Sequence, residues 1–239
     1  MSTSPPHHHS VRAPDDATES VVEGDRYGRL VRLHPEYRER YIILHEHPFP
    51  EVLDRIHRAN LRNYSIFLKE GWLFSFFEYV GTDYEADMAG MAQNDTVQDW
   101  WTLTDPMQES VLPDESEAWW ATMDELYHGG SKEVPSPTAD KHAYVRRLAD
   151  AELDVAPMFD EVADALDEAL AASPFQNYSV YRWGRRLYTY FEYAGDQFDA
   201  DYGRLRATDG FRALDEALDP LTDDGDAAVV PMEPVFYLA

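Results

Sequence analysis

The sequence predicts an α+β fold: two βαββαβ repeats packed sheet against sheet as an intrachain pseudo-dimer. The first observation is internal repetition. Asn63-Tyr64-Ser65-Ile66-Phe67 recurs as Asn177-Tyr178-Ser179-Val180-Tyr181, and Phe77-Glu78-Tyr79 with Gly81 recurs as Phe191-Glu192-Tyr193 with Gly195. Asp105-Pro106-Met107 matches Asp219-Pro220-Leu221 at the same offset of 114. Upstream, Phe49, Glu51 and Val52 match Phe159, Glu161 and Val162 at an offset of 110, which implies a small insertion before Asn177. The halves read as a tandem duplication. The second observation is that helical and strand patterns alternate in the order of a split βαβ unit, an antiparallel sheet with helices on one face. The third is that Leu73-Phe74-Ser75-Phe76-Phe77 is apolar on both sides. A sheet covered by helices on one face only would leave half of those rings in water, so the second sheet is the expected cover.

Each element of the first half has a local reason. A short strand is expected over about 28–33. A helix follows from Pro35 to about Arg58, and the interior Pro48 and Pro50 should bend or interrupt it, since proline removes a helix donor. Asn63–Leu68 and Trp72–Val80 are β-rich runs around Lys69-Glu70-Gly71 and read as a hairpin. A helical stretch over about Asp83 to Leu103 carries a break near Asn94-Asp95. A last strand is expected near Met123–Tyr127. The second half repeats this order and ends in Val235-Phe236-Tyr237-Leu238. The domain division that follows is a polar disordered arm over 1–24, a first repeat over 25–128, a Pro/Ser/Gly-rich linker over 129–140, and a second repeat over 141–239.

Charge restricts the partners. The 239 residues hold 46 Asp and Glu against 20 Lys and Arg, a formal net charge of −26. Such a surface repels nucleic acid and anionic membranes. With 44% hydrophobic and 13% aromatic residues, the chain is too apolar to be a disordered acidic polymer. Lysine is almost absent, only Lys69, Lys132 and Lys141. This balance reads as a salt-adapted surface, whose self-repulsion is screened in molar salt, where the Debye length falls to about 3 Å. There are no cysteines, hence no disulfide, thiol nucleophile or thiolate metal site. No run of 18 apolar residues is present and no secretory signal is evident, so a cytoplasmic location is expected.

The candidate chemistry lies in the first half. Tyr41 and His45 are spaced i, i+4 and share one helix face. Trp100-Trp101 lies in the second helical stretch and Tyr64 near the start of a strand. Together these side chains would suit a neutral sugar, with indole over the C–H face of a pyranose and phenol and imidazole on its hydroxyls. By spacing alone, a Tyr and a His one turn apart are more often packing and surface residues, and a Trp pair is usually core.

Tyr41-x-x-x-His45, Pro50-Glu51-Val52, Asn63-Tyr64, Leu73-Phe74 with Glu78, and Asp95-x-x-x-x-Trp100-Trp101 together resemble the L-rhamnose mutarotase family in order and spacing. The resemblance covers about 28–128, and Val235-Phe236-Tyr237-Leu238 is similar to that family's ending. It implies a ferredoxin-like protomer and a dimeric α+β barrel, here formed within one chain. It also implies cofactor-free interconversion of the anomers of L-rhamnose or a related deoxy sugar. His45 would be the acid/base, with Tyr41, Tyr64, Trp100 and Trp101 binding the sugar. No metal is implied.

The second half departs from that pattern. Ala151 and Val155 align with Tyr41 and His45, and Leu214 and Asp215 with Trp100 and Trp101; only Tyr178 keeps its counterpart. One active site per chain is therefore expected, with the second repeat as a degenerate partner. Two alternatives share the scaffold: a monooxygenase, in which His45 could ligate haem, and a non-catalytic sugar-binding or interaction module. His7, His8 and His9 lie in the polar arm. His47 and His57 flank His45 without a third metal ligand. Glu78 is kept as Glu192, which suggests a structural role for both.

Overall fold

The computed structural model describes residues 24–113, 116, 118–134, 136–223 and 229–239. The disordered arm expected over 1–24, with His7, His8 and His9, lies outside the described residues but for Gly24.

In the first half, β1 spans Asp25–Leu33, and a 3-10 turn at Pro35–Tyr37 leads into α1, Arg38–Glu46. The helix predicted over Pro35 to Arg58 is interrupted where its prolines lie. Its second piece, α2, is Pro50–Arg58, with Pro50 in the first turn, where a missing N–H costs nothing. The hairpin strands are β2, Leu61–Lys69, and β3, Trp72–Tyr79. Gly71 turns the chain between them at φ +74°, a left-handed conformation open to glycine. Next come α3, Tyr84–Ala92, and α4, Asp95–Thr104. The break between them is set by Asn94, whose side chain accepts from the Val97 N–H at 3.0 Å and caps α4. Three strands follow: β4, Gln108–Glu109, β5, Ala121–Thr122, and β6, Asp124–Gly129.

The second half runs β7, Asp140–Arg147; α5, Ala156–Ala171; β8, Phe175–Trp183; β9, Arg186–Tyr193; α6, Phe198–Arg206; α7, Asp209–Leu218; β10, Val230–Pro231; and β11, Glu233–Leu238. The segment read as a linker carries a 3-10 turn at Ser136–Thr138. It is anchored by the Glu133 and Val134 N–H groups, which donate to Gln176 Oε1 at 3.2 and 3.1 Å.

The strands form two antiparallel sheets. One has the order β11-β2-β3-β1-β4, with β5 also on β1; the other is β10-β7-β9-β8-β6. This arrangement corrects the expected barrel of two ferredoxin-like units. Both sheets are open, and among the described residues no strand of one sheet pairs within the other, so nothing closes. Nor does either half keep its own last strand. β6 leaves the first half to pair with β8, bringing Tyr127 opposite Val180. β11 leaves the second half to pair with β2, bringing Phe236 opposite Ile66. Each crossing follows a short strand: Ala121-Thr122 pairs with β1 and Val230-Pro231 with β7, each for two residues, before the chain passes to the other sheet.

The aromatic strands are covered on both faces, as their composition requires. Leu30, Phe67, Phe74 and Phe76 of one sheet pack against Ala143, Tyr181, Tyr188 and Tyr190 of the other. The Phe76 and Tyr190 rings stack at 3.8 Å and 8°, a contact adding about 0.5–1.5 kcal/mol beyond area burial. Gly28 lets the Tyr181 ring of the other sheet approach β1: a Cβ there would meet that ring at 2.5 Å. On the opposite faces, Leu73 and Phe77 pack into a core that includes Val52, Ile56 and Val97 of the helices, and Leu187 and Phe191 pack with Phe159, Leu166 and Leu214.

Candidate active site

Four of the five candidate residues meet in the helix-facing core of the first sheet. Tyr41 and His45 are both buried on one face of α1, with ring centroids 4.1 Å apart. Trp100, on the buried side of α4, meets His45 edge-on at 5.2 Å. Tyr64 joins through a bulge. The β2/β3 register slips between Arg62 and Ser65, and Asn63 takes φ +53°. An extra residue in one strand re-aims the side chains beside it. Here Tyr64 lies against the helix-facing core, while the Asn63 amide bonds to Glu192 of the other sheet. Trp101 is half-buried against the same core but stacks on none of these rings among the described residues.

His45 Nδ1 lies 2.9 Å from the Tyr41 carbonyl oxygen. A carbonyl can only accept, so Nδ1 carries the proton and Nε2 is the basic nitrogen. His45 is 7% exposed and Tyr41 1%. Burial holds the imidazole down at about 4, opposed by the bond to Tyr41, so the ring is neutral at neutral pH. Burial also pushes the Tyr41 phenol well above its usual range, and that of Tyr64 up to about 12. Both phenols therefore remain donors.

Several residues of the site were not legible in the sequence. Phe236 of β11 lies between His45 and Tyr64, 5.9 and 5.7 Å from their rings. Gln108 donates to Tyr41 Oη at 3.3 Å and accepts from the Trp119 indole N–H at 2.9 Å. The Arg29 guanidinium packs on Tyr27, Phe77 and Tyr84 at 5.9, 5.5 and 5.6 Å and donates to Tyr84 Oη. Of these, only the ending Val235-Phe236-Tyr237-Leu238 carried a signal, and its spatial neighbour was not readable from chain order.

In the second half Tyr178 is buried among Tyr127, Phe191 and Phe211. Asp215, aligned with Trp101, accepts from Arg146 at 2.7 Å and pairs with Arg206. Ion pairs thus stand at the position aligned with Trp101. Glu78 and Glu192 lie between the sheets, not in either helix-facing core.

Residues 26–129 match the family model of L-rhamnose mutarotase. That segment contains Tyr41, His45, Tyr64, Trp100 and Trp101, and it is less than half of the chain. The L-rhamnose mutarotase of Lactiplantibacillus plantarum is 29% identical over 87 residues, 36% of this chain and 81% of that protein. Over the whole chain the likeness lies elsewhere. A structure described as a candidate monooxygenase from Lactobacillus acidophilus NCFM has a TM-score of 0.55 at 10% identity, covering 90% of this chain and 96% of that one. Another so described, from Fusobacterium nucleatum, has a TM-score of 0.51 at 9% identity, covering 89% and 92%. At such identities the likeness is one of fold. No helix among the described residues is long and apolar enough to cross a membrane.

Proposed function

We propose that the chain is an enzyme interconverting the anomers of L-rhamnose or a related deoxy sugar, with the reaction centred on His45. The observation that carries this reading is the set Tyr41, His45, Tyr64 and Trp100 gathered in one core, inside the segment that matches the mutarotase model. Mutarotation removes the proton of the anomeric hydroxyl, breaks the C1–O5 bond to give the open aldehyde, and protonates O5. After rotation about C1–C2, closure on the other carbonyl face reverses each transfer. Neutral His45 with a bare Nε2 is the base for the first transfer, and the protonated phenols of Tyr41 and Tyr64 are donors for sugar oxygens. The chemistry calls for neither redox change nor a covalent intermediate.

NMR exchange between α- and β-L-rhamnose, with and without the full chain, tests the reading. Catalysed exchange is expected, and His45→Ala should lower it about 10²–10⁴-fold. A folded His45→Ala variant with full activity would rule out the assigned base. Binding without exchange would indicate a sugar-binding module.

A second reading is a monooxygenase, favoured by the whole-chain fold likeness. It predicts oxygen uptake with an aromatic substrate or a haem Soret band, and no anomer exchange.

A further inference from the structure

From the Tyr41 phenol a chain of two hydrogen bonds leads out to the surface. Tyr41 is 1% exposed, Gln108 7% and Trp119 43%. Gln108 Nε2 donates to Tyr41 Oη at 3.3 Å, and the Trp119 indole N–H donates to Gln108 Oε1 at 2.9 Å. Strand β1 holds the outer part of this chain in place. Gln108 of β4 lies opposite Leu33, and Ala121 of β5, which follows Trp119-Trp120, lies opposite Leu30. The connection between β4 and β5 thus leaves β1 and returns to it nearby, which brings Trp119 back onto Gln108.

The chemistry of the three groups fixes the direction of each proton. An indole nitrogen can only donate. Gln108 must therefore turn its carbonyl oxygen toward Trp119, which leaves its NH2 facing Tyr41. Tyr41 Oη is then the acceptor, and its own hydrogen points away from Gln108. No acceptor for that hydrogen is present among the described residues. The phenol keeps it at neutral pH, because burial pushes Tyr41 well above its usual range. A buried O–H without an acceptor is unfavourable, and a ligand oxygen on that side relieves it. Were the amide reversed, Gln108 would accept from Tyr41, and the phenol would offer a ligand only lone pairs.

We propose that Trp119, acting through Gln108, is a positioning residue that keeps the Tyr41 hydroxyl hydrogen directed at a substrate oxygen. For the identity of that substrate, a sugar with hydroxyl and ring oxygens, the inference rests on the anomer-exchange reading.

Anomer exchange of L-rhamnose, followed by NMR on the full chain over a range of sugar concentrations, tests it through kcat and KM. Trp119→Phe keeps a ring but loses the N–H, so Gln108 is free to turn its carbonyl to Tyr41. Gln108→Glu offers only acceptors, so the carboxylate takes the Tyr41 hydrogen for itself. Each should raise KM about fivefold, the worth of one neutral hydrogen bond, with kcat within about twofold of the parent because His45 is untouched. Tyr41→Phe should show a similar rise, and in that background neither change should add to it, since groups that act through one another are not additive. An unchanged KM in folded Trp119→Phe and Gln108→Glu, or additive effects in the Tyr41→Phe background, would overturn the proposal. Trp119 is partly exposed, so its variant carries the test if Gln108→Glu fails to fold. The NMR resonances of the Gln108 side-chain amide give a second readout, independent of turnover. They should shift in both Trp119→Phe and Tyr41→Phe, and an amide unmoved by either change would overturn the relay whatever the substrate. A wild-type chain without catalysed exchange, whose Gln108 amide does respond, would overturn the anomer reading while supporting the relay.

Discussion

Asn63 of one sheet donates its side-chain amide to Glu192 Oε1 of the other at 2.5 Å. Asn177, which precedes Tyr178-Ser179 as Asn63 precedes Tyr64-Ser65, donates to the same oxygen at 2.7 Å and to Glu78 Oε1 at 3.2 Å. Gln176 donates to Glu192 Oε2 at 3.1 Å, and Lys132 pairs with Glu78. Two buried carboxylates between apolar sheets persist because amides and an ammonium group satisfy their oxygens. Burial still raises the Glu78 carboxyl, with Lys132 opposing the shift.

Asn63→Ala should therefore destabilise the chain strongly, by about 2–4 kcal/mol, because it removes a donor from a buried carboxylate. Asn63→Gly should cost less, since glycine accepts the left-handed φ of +53° at that position. Urea unfolding of both variants checks the order, and equal losses would show that backbone conformation contributes nothing there.

Stability should fall as pH drops from about 6.5 toward 4. In the unfolded chain His45 and His142 titrate near 6.5; folded, burial holds each at about 4. Between those values the unfolded chain binds protons that the folded chain excludes, so the stabilisation is complete above about 6.5 and is lost as pH falls through the window. Each histidine contributes on the order of 3 kcal/mol. Denaturant unfolding from pH 7 to 4.5 should show a shallower decline for His45→Phe than for the parent, and superimposable curves would contradict the assignment.

Phe236→Ala should lower both stability and anomer exchange. The ring packs against His45 and Tyr64, and truncating a buried Phe costs about 3–5 kcal/mol. Exchange measured well below the variant's melting temperature separates the two effects. In contrast, Tyr178→Phe should leave exchange near the parent rate, because Val155, Leu214 and Asp215 align with His45, Trp100 and Trp101 and supply no imidazole or indole beside it.

The melting temperature should rise from dilute buffer to molar KCl, because 46 acidic residues face 20 basic ones and salt screens their repulsion. Calorimetric scans across KCl concentration check this, and a flat profile would remove the salt-adapted reading of the surface.

The sequence alone determined the local structure of this protein. Proline at Pro48 and Pro50, the Asn94 cap, the turn at Gly71 and the two-faced aromatic strands each act within a few residues or through composition, so the helix break, the hairpins and the need for a second covering layer could be read directly. The i, i+4 spacing likewise placed Tyr41 and His45 on one helix face. Tertiary structure decided what pairs with what. A strand's pattern states which faces are apolar but not whose edge it joins, and β6 and β11 cross between sheets after short pairings at Ala121 and Val230 that carry no distinctive pattern. Both sheets are open where a barrel was expected. The crossing of β11 also brings Phe236, near the end of the chain, onto His45, and packing across nearly two hundred residues is a property that no local periodicity encodes.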